Sequence, residues 1–478
     1  MVENTTNNIV IDFIKNKQSL GLVWSVFGLF SALFLMTLGF YLQIELYVFG
    51  IVVGLLYFYL LITSPKFWLY SIGLSTGIFF HSTSEGVSVL DLLFGFLYSG
   101  SIIVWFIWQI IFLRKKVIRN FGDWLVLAFF FFLIFNLFIS YLNDVNLLLW
   151  IKEYFMYSIV LIYFPIRSII KTEKDLLRFL IFYSFIVIAS GAFQIFQYYN
   201  RLTEDFVYAY EMKHGININQ TLYTAASIYG FLFTFHQTNK KKELLVLLFT
   251  SLAIISLIIT FSRTFWVVLA LAILVFFVLF PLRKKGKIII YLIMLVSFFA
   301  VFGYLFIPEK MYLLVNIIGI RFSSSADGAK DISFVDRLME WKQVIKKISE
   351  NPLGGNGLAM KFHFYDVISK KTAFTEIIHN GFLYLIYRAG IPTALFYFSF
   401  LIFYTIKAWD NLIKSTSNYL KALSLSNFAV IIILYAVNFT SPQYFFRDGI
   451  FVTAFIIAFI GINENILNNK NNSDISHG

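Results

Sequence analysis

Apolar runs of about 20 residues recur along almost the whole chain, and no other feature restricts its fold as strongly. As a helix, such a run rises about 30 Å, the thickness of a bilayer's hydrocarbon core. In hydrocarbon every backbone N–H and C=O must be satisfied within the protein, which leaves helices and closed barrels. These runs are too long and too uniformly apolar for barrel strands. Fourteen spans are predicted, at roughly 19–40, 44–63, 67–81, 88–113, 123–142, 149–168, 176–198, 221–237, 243–261, 264–282, 287–307, 380–407, 422–440 and 446–464. A mean hydropathy of +0.78 with only 13% charged residues accords with this. The expected fold class is an all-α integral membrane protein, a polytopic bundle of about 12 to 14 transmembrane helices with one large extracytoplasmic loop that contains an amphipathic helix.

Short cytoplasmic loops collect Lys and Arg, and here the basic loops alternate. With the N-terminus inside, the inner side receives Lys15, Lys17, Lys66, Arg114 to Arg119, Arg167 to Arg178, Lys240 to Lys242, Arg283 to Lys287, Lys407 to Lys421 and Lys470. The resulting organisation is a cytoplasmic N-terminus (1–18) with no evident cleavable leader, eleven spans (19–307), an extracytoplasmic loop (308–379), three spans (380–464) and an Asn-rich cytoplasmic tail (465–478) expected to be disordered. The net charge of +12 is then topology signal, not a nucleic-acid footprint. The absence of cysteine removes disulfides, thiol chemistry and thiolate metal sites.

The most specific pattern follows the long loop: His379-Asn380, nine residues, then Gly390-Ile391-Pro392-Thr393. A histidine there meets water and lipid together. On an ideal helix the eleven steps from His379 would return Gly390 to within about 20° of the same face.

Charges set against a membrane are costly, so each is a functional candidate. Arg263 lies in the outer turn Thr260-Phe261-Ser262-Arg263-Thr264, where no cation is expected. It either snorkels to head groups or offers a bidentate grip on a diphosphate. Arg337 belongs to a stretch whose apolar residues recur at Phe334, Leu338, Trp341, Ile345 and Ile348, an amphipathic helix at the interface. Arg337 falls on the flank of that stripe, with Asp336, Glu340, Lys346 and Lys347 on the other side. Arg321, which opens the loop, is either a third phosphate contact or a head-group anchor. Arg388, deeper in the His379 helix and on its opposite face, is expected to pair with another helix, with Asp91 as a candidate partner. Asn351-Pro352-Leu353-Gly354-Gly355-Asn356-Gly357 lacks the Lys-Ser/Thr of a phosphate loop and reads as a bend. The loop from Tyr199 to Gln220 mixes acids, His214 and tyrosines in a manner suited to sugars, or to an ordinary exposed loop.

His214, His363 and His379 are scattered, and no clustered carboxylates accompany them, so a metal-independent site without cofactor is favoured. No Walker or dinucleotide fingerprint appears, so the energy for any reaction must arrive with a lipid-side substrate.

Taken together, these residues resemble the O-antigen ligase and O-antigen polymerase superfamily of bacterial surface-polysaccharide enzymes. His379-Asn380 to Gly390-x-x-Thr393 fits that family's histidine signature, Ser262-Arg263 looks like its Ser-Arg element, and Arg337 with Trp341, followed by Asn351-Pro352-Leu353-Gly354, looks like its large outer loop. The clear resemblance covers about residues 215–400. It implies an integral-membrane glycosyltransferase, inverting and metal-independent, which moves a glycan from a polyprenyl diphosphate to another sugar in the bacterial inner membrane. By this resemblance His379 is the essential histidine and general base, with Arg263, Arg337 and, less directly, Arg321 on the diphosphate. Ser262, Asn380 and Gly390 support the motif. Three readings stand: a polymerase acting on lipid-linked repeat units, with a chain-length co-polymerase as a candidate partner; a ligase acting on a lipid A core or protein; and a lipid-linked oligosaccharide flippase. Against the flippase, polar groups gather at the outer surface rather than at the midplane.

Overall fold

The computed structural model describes residues 45–79, 91, 95–201, 219–237, 239–306, 308–326, 332–366, 371–375, 377–415 and 417–475. The first predicted span and most of the 199–220 loop, His214 included, lie outside these residues. The chain divides after Trp68 into a small unit and a large one. In the first, α1 (Glu45–Thr63) is followed by the start of α2 (Pro65–Phe79). The second continues with α3 (Ser101–Ile107), flanked by π turns, then α4 (Phe121–Leu142), α5 (Leu147–Ser158), a 3-10 turn, α6 (Tyr163–Ile169), α7 (Glu173–Arg201), α8 (Gln220–His236), α9 (Lys240–Ile259), α10 (Arg263–Leu279), α11 (Leu282–Phe306), α12 (Pro308–Ala326) and α13 (Ile332–Glu350). A two-stranded antiparallel hairpin, β1 (Phe362–Asp366) and β2 (Lys371–Thr375), precedes α14 (Gly381–Lys414), α15 (Asn418–Asn438) and α16 (Arg447–Ile475).

Among the described residues, eight helical segments are long and apolar enough to cross a membrane: 121–142, 147–169, 173–198, 240–259, 284–305, 381–414, 418–438 and 447–469. The protein is thus an all-α polytopic membrane protein. The segment 308–379 is more structured than a loop: it holds α12, the expected amphipathic helix as α13, and the hairpin. α16 continues to Ile475, so the stretch expected to be a disordered tail is helical that far.

Core packing explains why the helices hold their places. α16 runs almost wholly buried through its apolar length, with Ile457, Ala458, Ile460 and Ile462 fully enclosed. Exposed Phe131, Phe135 and Phe138 on α4 face away from the bundle, as lipid allows. At one end of the bundle, the Asn120–Asp123 capping box starts α4. There the buried Asp123 carboxylate pairs with Arg167 at 2.8 Å and accepts from the hydroxyls of Tyr163 (2.9 Å) and Tyr404 (3.0 Å). A buried ion pair needs such additional hydrogen bonds to offset its desolvation.

The opposite end carries the candidate site. There the 352–357 bend inserts between α4 and α14. Asn136 on α4 donates to the Gly354 carbonyl (3.1 Å) and the Arg388 carbonyl (2.9 Å), and its Oδ1 accepts from the Leu358 N–H at 2.9 Å. Asn143 donates to the Asn356 carbonyl at 3.0 Å. The segment predicted as a bend is one, with Gly355 and Gly357 at φ +70° and +103°.

Candidate functional site

His379 precedes α14 instead of riding on it. Asn380 has extended backbone, and its side-chain oxygen accepts from the N–H groups of Phe382 and Leu383 at 3.0 Å each. Asn380 is therefore the N-cap, the residue type best suited to satisfy the free amides of a helix start.

α13 holds the histidine in place. The Glu340 side chain is wholly buried, whereas that of His379 is 45% exposed. Glu340 Oε2 accepts the backbone N–H of His379 at 3.2 Å and lies 3.2 Å from His379 Nδ1. The next residue, Trp341, donates its indole N–H to the His379 carbonyl at 3.1 Å. The imidazole thus has one edge tied to a buried carboxylate while much of the ring remains accessible. The hairpin braces the arrangement: the Tyr365 N–H donates to Gln343 Oε1 of α13 at 3.2 Å, and Phe362 meets the ring of Tyr387 edge-on, 5.5 Å between centroids.

This corrects the expected place of Glu340 on α13. The helix turns Arg337, Glu340, Trp341 and Val344 inward, with Val344 and Glu340 buried and Arg337 partly so, while Phe334, Leu338 and Ile345 are exposed. In a chain bathed by lipid an apolar stripe does not have to turn toward protein. Arg337 and Glu340, expected on different sides, share one face at a spacing of three residues.

Gly390 also differs from expectation. Its φ of +83° and ψ of 164° interrupt α14, so the ideal-helix superposition of Gly390 on the face of His379 does not apply. Its function is close approach. A Cβ there would stand 2.1 Å from the Leu353 carbonyl oxygen. The bend hydrogen-bonds around it, from Asn356 N–H to Tyr387 carbonyl (2.8 Å), from Gly357 N–H to Arg388 carbonyl (2.9 Å) and from Ile391 N–H to Pro352 carbonyl (2.9 Å). Since the bend continues directly from α13, Gly390 helps set where that helix ends.

Arg263 is the first residue of α10, after a tight turn in which Phe261 takes φ +52° and Ser262 takes the N-cap position. It is partly buried. Its neighbour Thr264 accepts from the Thr440 hydroxyl at 3.1 Å. Two residues earlier, Asn438 crowds Gly381, where a Cβ would be 2.1 Å from Asn438 Oδ1. Arg263 and His379 thus belong to the same end of the bundle, linked through the turn that follows α15. Arg321 lies in α12, one turn beyond Ile317; Leu314 and Ile317 pack with Tyr198, Ile255, Ile259 and Phe261 beneath the Ser262-Arg263 turn.

Arg388 pairs with Glu153 of α5, not with Asp91. The Glu153 carboxylate also accepts from the hydroxyls of Tyr157 (3.2 Å) and Tyr384 (3.1 Å) and from the Ala359 N–H. Asp91 instead meets Arg447 and, at 3.2 Å, Lys152. Adjacent Lys152 and Glu153 on α5 thus reach different partners. Sequence reasoning missed Glu340 and Glu153; the one available signal was a glutamate placed between Arg337 and Trp341.

A polytopic membrane bundle with a histidine fixed between a loop helix and the start of a spanning helix defines the class of site. Residues 247–398 of the 478 match the family described as O-antigen ligase. The likeness to that family rests on this segment, about a third of the chain. The match contains Arg263, Arg321, Arg337, His379, Asn380 and Gly390. No curated protein matches the chain.

Proposed function

We propose that this protein is a polysaccharide polymerase. It transfers a glycan chain from a polyprenyl diphosphate to the non-reducing-end sugar of a lipid-linked repeat unit, with inversion and without a metal, on the extracytoplasmic side of the bacterial inner membrane. The observation that carries this reading is the ordered, accessible imidazole of His379, tethered to the helix that bears Arg337. His379 takes the proton from the acceptor hydroxyl as its oxygen bonds to the anomeric carbon. The bond from that carbon to the diphosphate breaks, and its electron pair goes to the diphosphate oxygen. Arg337 and Arg263, with Arg321 as a further candidate, stabilise the charge that develops there. A positioned base is typically worth about 10² to 10⁴ in rate.

The ligase reading shares this chemistry and differs in acceptor; the matching family, described as O-antigen ligase, is compatible with both. The test supplies purified protein in chelator with a labelled lipid-linked donor and, separately, a lipid-linked repeat unit, a lipid A core or an acceptor protein. Label extending the repeat unit supports polymerase. Label only on lipid A core or protein supports ligase, and donor crossing a bilayer without transfer would favour the flippase.

A further inference from the structure

We propose that Glu340 is a positioning residue for His379: it holds the ring proton on Nδ1 and leaves Nε2 as the basic atom that faces the acceptor. This rests on the reading of His379 as the base. Glu340 Oε2 receives the backbone N–H of His379 at 3.2 Å, and a backbone N–H can only donate, so this oxygen is already an acceptor. The ring Nδ1, at 3.2 Å from the same oxygen, completes the set by donating as well. A neutral imidazole has one donor and one acceptor nitrogen, so a proton fixed on Nδ1 leaves the lone pair on Nε2.

Burial says which edge is which. The carboxylate is fully enclosed and the imidazole is 45% exposed, so the Nδ1 edge is the inner one. A carboxylate enclosed to that degree is costly unless it has a task or full hydrogen bonding. Here Oε2 has two donors, both from His379, while Oε1 is buried without a hydrogen-bond partner among the described residues. As the base takes a proton the ring becomes cationic, and the enclosed carboxylate beside it stabilises that charge. Trp341 adds a third tether at the His379 carbonyl, so consecutive residues of α13 fix the ring and its backbone together. Arg337 is one turn earlier on the same face. One rigid helix therefore presents the diphosphate cation and orients the base.

The test uses the full chain in lipid nanodiscs. Nitrogen-15 labelling of the histidines, six in all, reads the tautomer of His379 in the unaltered protein, assigned by loss of its signal in H379A. Protonation at Nδ1 is expected; protonation at Nε2 would overturn the proposal, and this arm needs no Glu340 variant to fold. In the transfer assay Glu340→Gln is expected to lower kcat on the order of 10²-fold with KM unchanged, and Glu340→Asp to lose less. The double variant H379A/E340Q is expected to be no slower than H379A. E340Q at the parent's kcat, or a double variant well below H379A, would overturn it. Full activity in H379A would instead sink the base reading, while the tautomer measurement would still decide the Glu340–His379 pairing.

Discussion

Replacing Gly390 with alanine should damage both fold and activity, although the residue touches no proposed reacting group. At φ +83° and ψ 164° it occupies a region that only glycine enters readily, at a cost of about 1–3 kcal/mol for any other residue. The new methyl would also stand 2.1 Å from the Leu353 carbonyl oxygen and 2.7 Å from its carbon, both backbone, so no side chain can swing aside. The 352–357 bend must move, stretching the bond from Ile391 to Pro352 and those that Asn136 makes to Gly354 and Arg388. At about 0.5–1.5 kcal/mol for each of these three bonds, added to the backbone cost, the total loss is roughly 2.5–7.5 kcal/mol. Because the bend extends from α13, Glu340 should also lose its register with His379. Unfolding in detergent, followed by tryptophan fluorescence, measures the first effect, and the transfer assay measures the second. Gly286→Ala is the control: that glycine sits in α11 with nothing within 4 Å of a Cβ, so alanine should be neutral or stabilise by up to about 1 kcal/mol. A Gly390→Ala protein that unfolds and turns over like the parent would refute the reasoning.

Other consequences follow from the same geometry. Arg388→Ala leaves the Glu153 carboxylate enclosed without its cation and should cost about 3–5 kcal/mol, with E153Q/R388M restoring part of the unfolding midpoint. Arg337→Ala and Arg263→Ala should each lower kcat on the order of 10²- to 10³-fold in the transfer assay, with lysine a poor substitute because it lacks the bidentate fork. Asn380→Ala removes the cap of α14 and should cost about 1 kcal/mol by the same unfolding assay, with Asn380→Asp largely tolerated.

What the sequence discloses, and what it conceals, divides along physical lines. Segments whose signal is local are legible: long apolar runs give α4, α7, α9, α14 and α15, and the Asn351–Gly357 composition gives its bend. The place of Glu340 on α13 is not legible, because the apolar period of Phe334, Leu338 and Ile345 sets it with Asp336, Lys346 and Lys347 on the side away from Arg337, whereas in the fold it is buried on Arg337's own face. Gly390 misleads for a related reason: spacing measured on an ideal helix takes no account of a second segment pressing on the backbone. The Glu153–Arg388 and Asp91–Arg447 pairs join residues far apart in the chain, and charge alone does not say which acid finds which base. The hairpin at Phe362–Thr375 is too short and too mixed in composition to stand out from its loop.

The central claim is that His379 serves the transfer of a glycan from a lipid diphosphate. Its most direct test incubates the protein in chelator with a single defined lipid-linked repeat unit as both donor and acceptor, beside a His379→Ala variant matched in its unfolding midpoint. A ladder of extended products from the parent, with none from the variant, is the predicted result. A ladder of equal rate from the variant would contradict it.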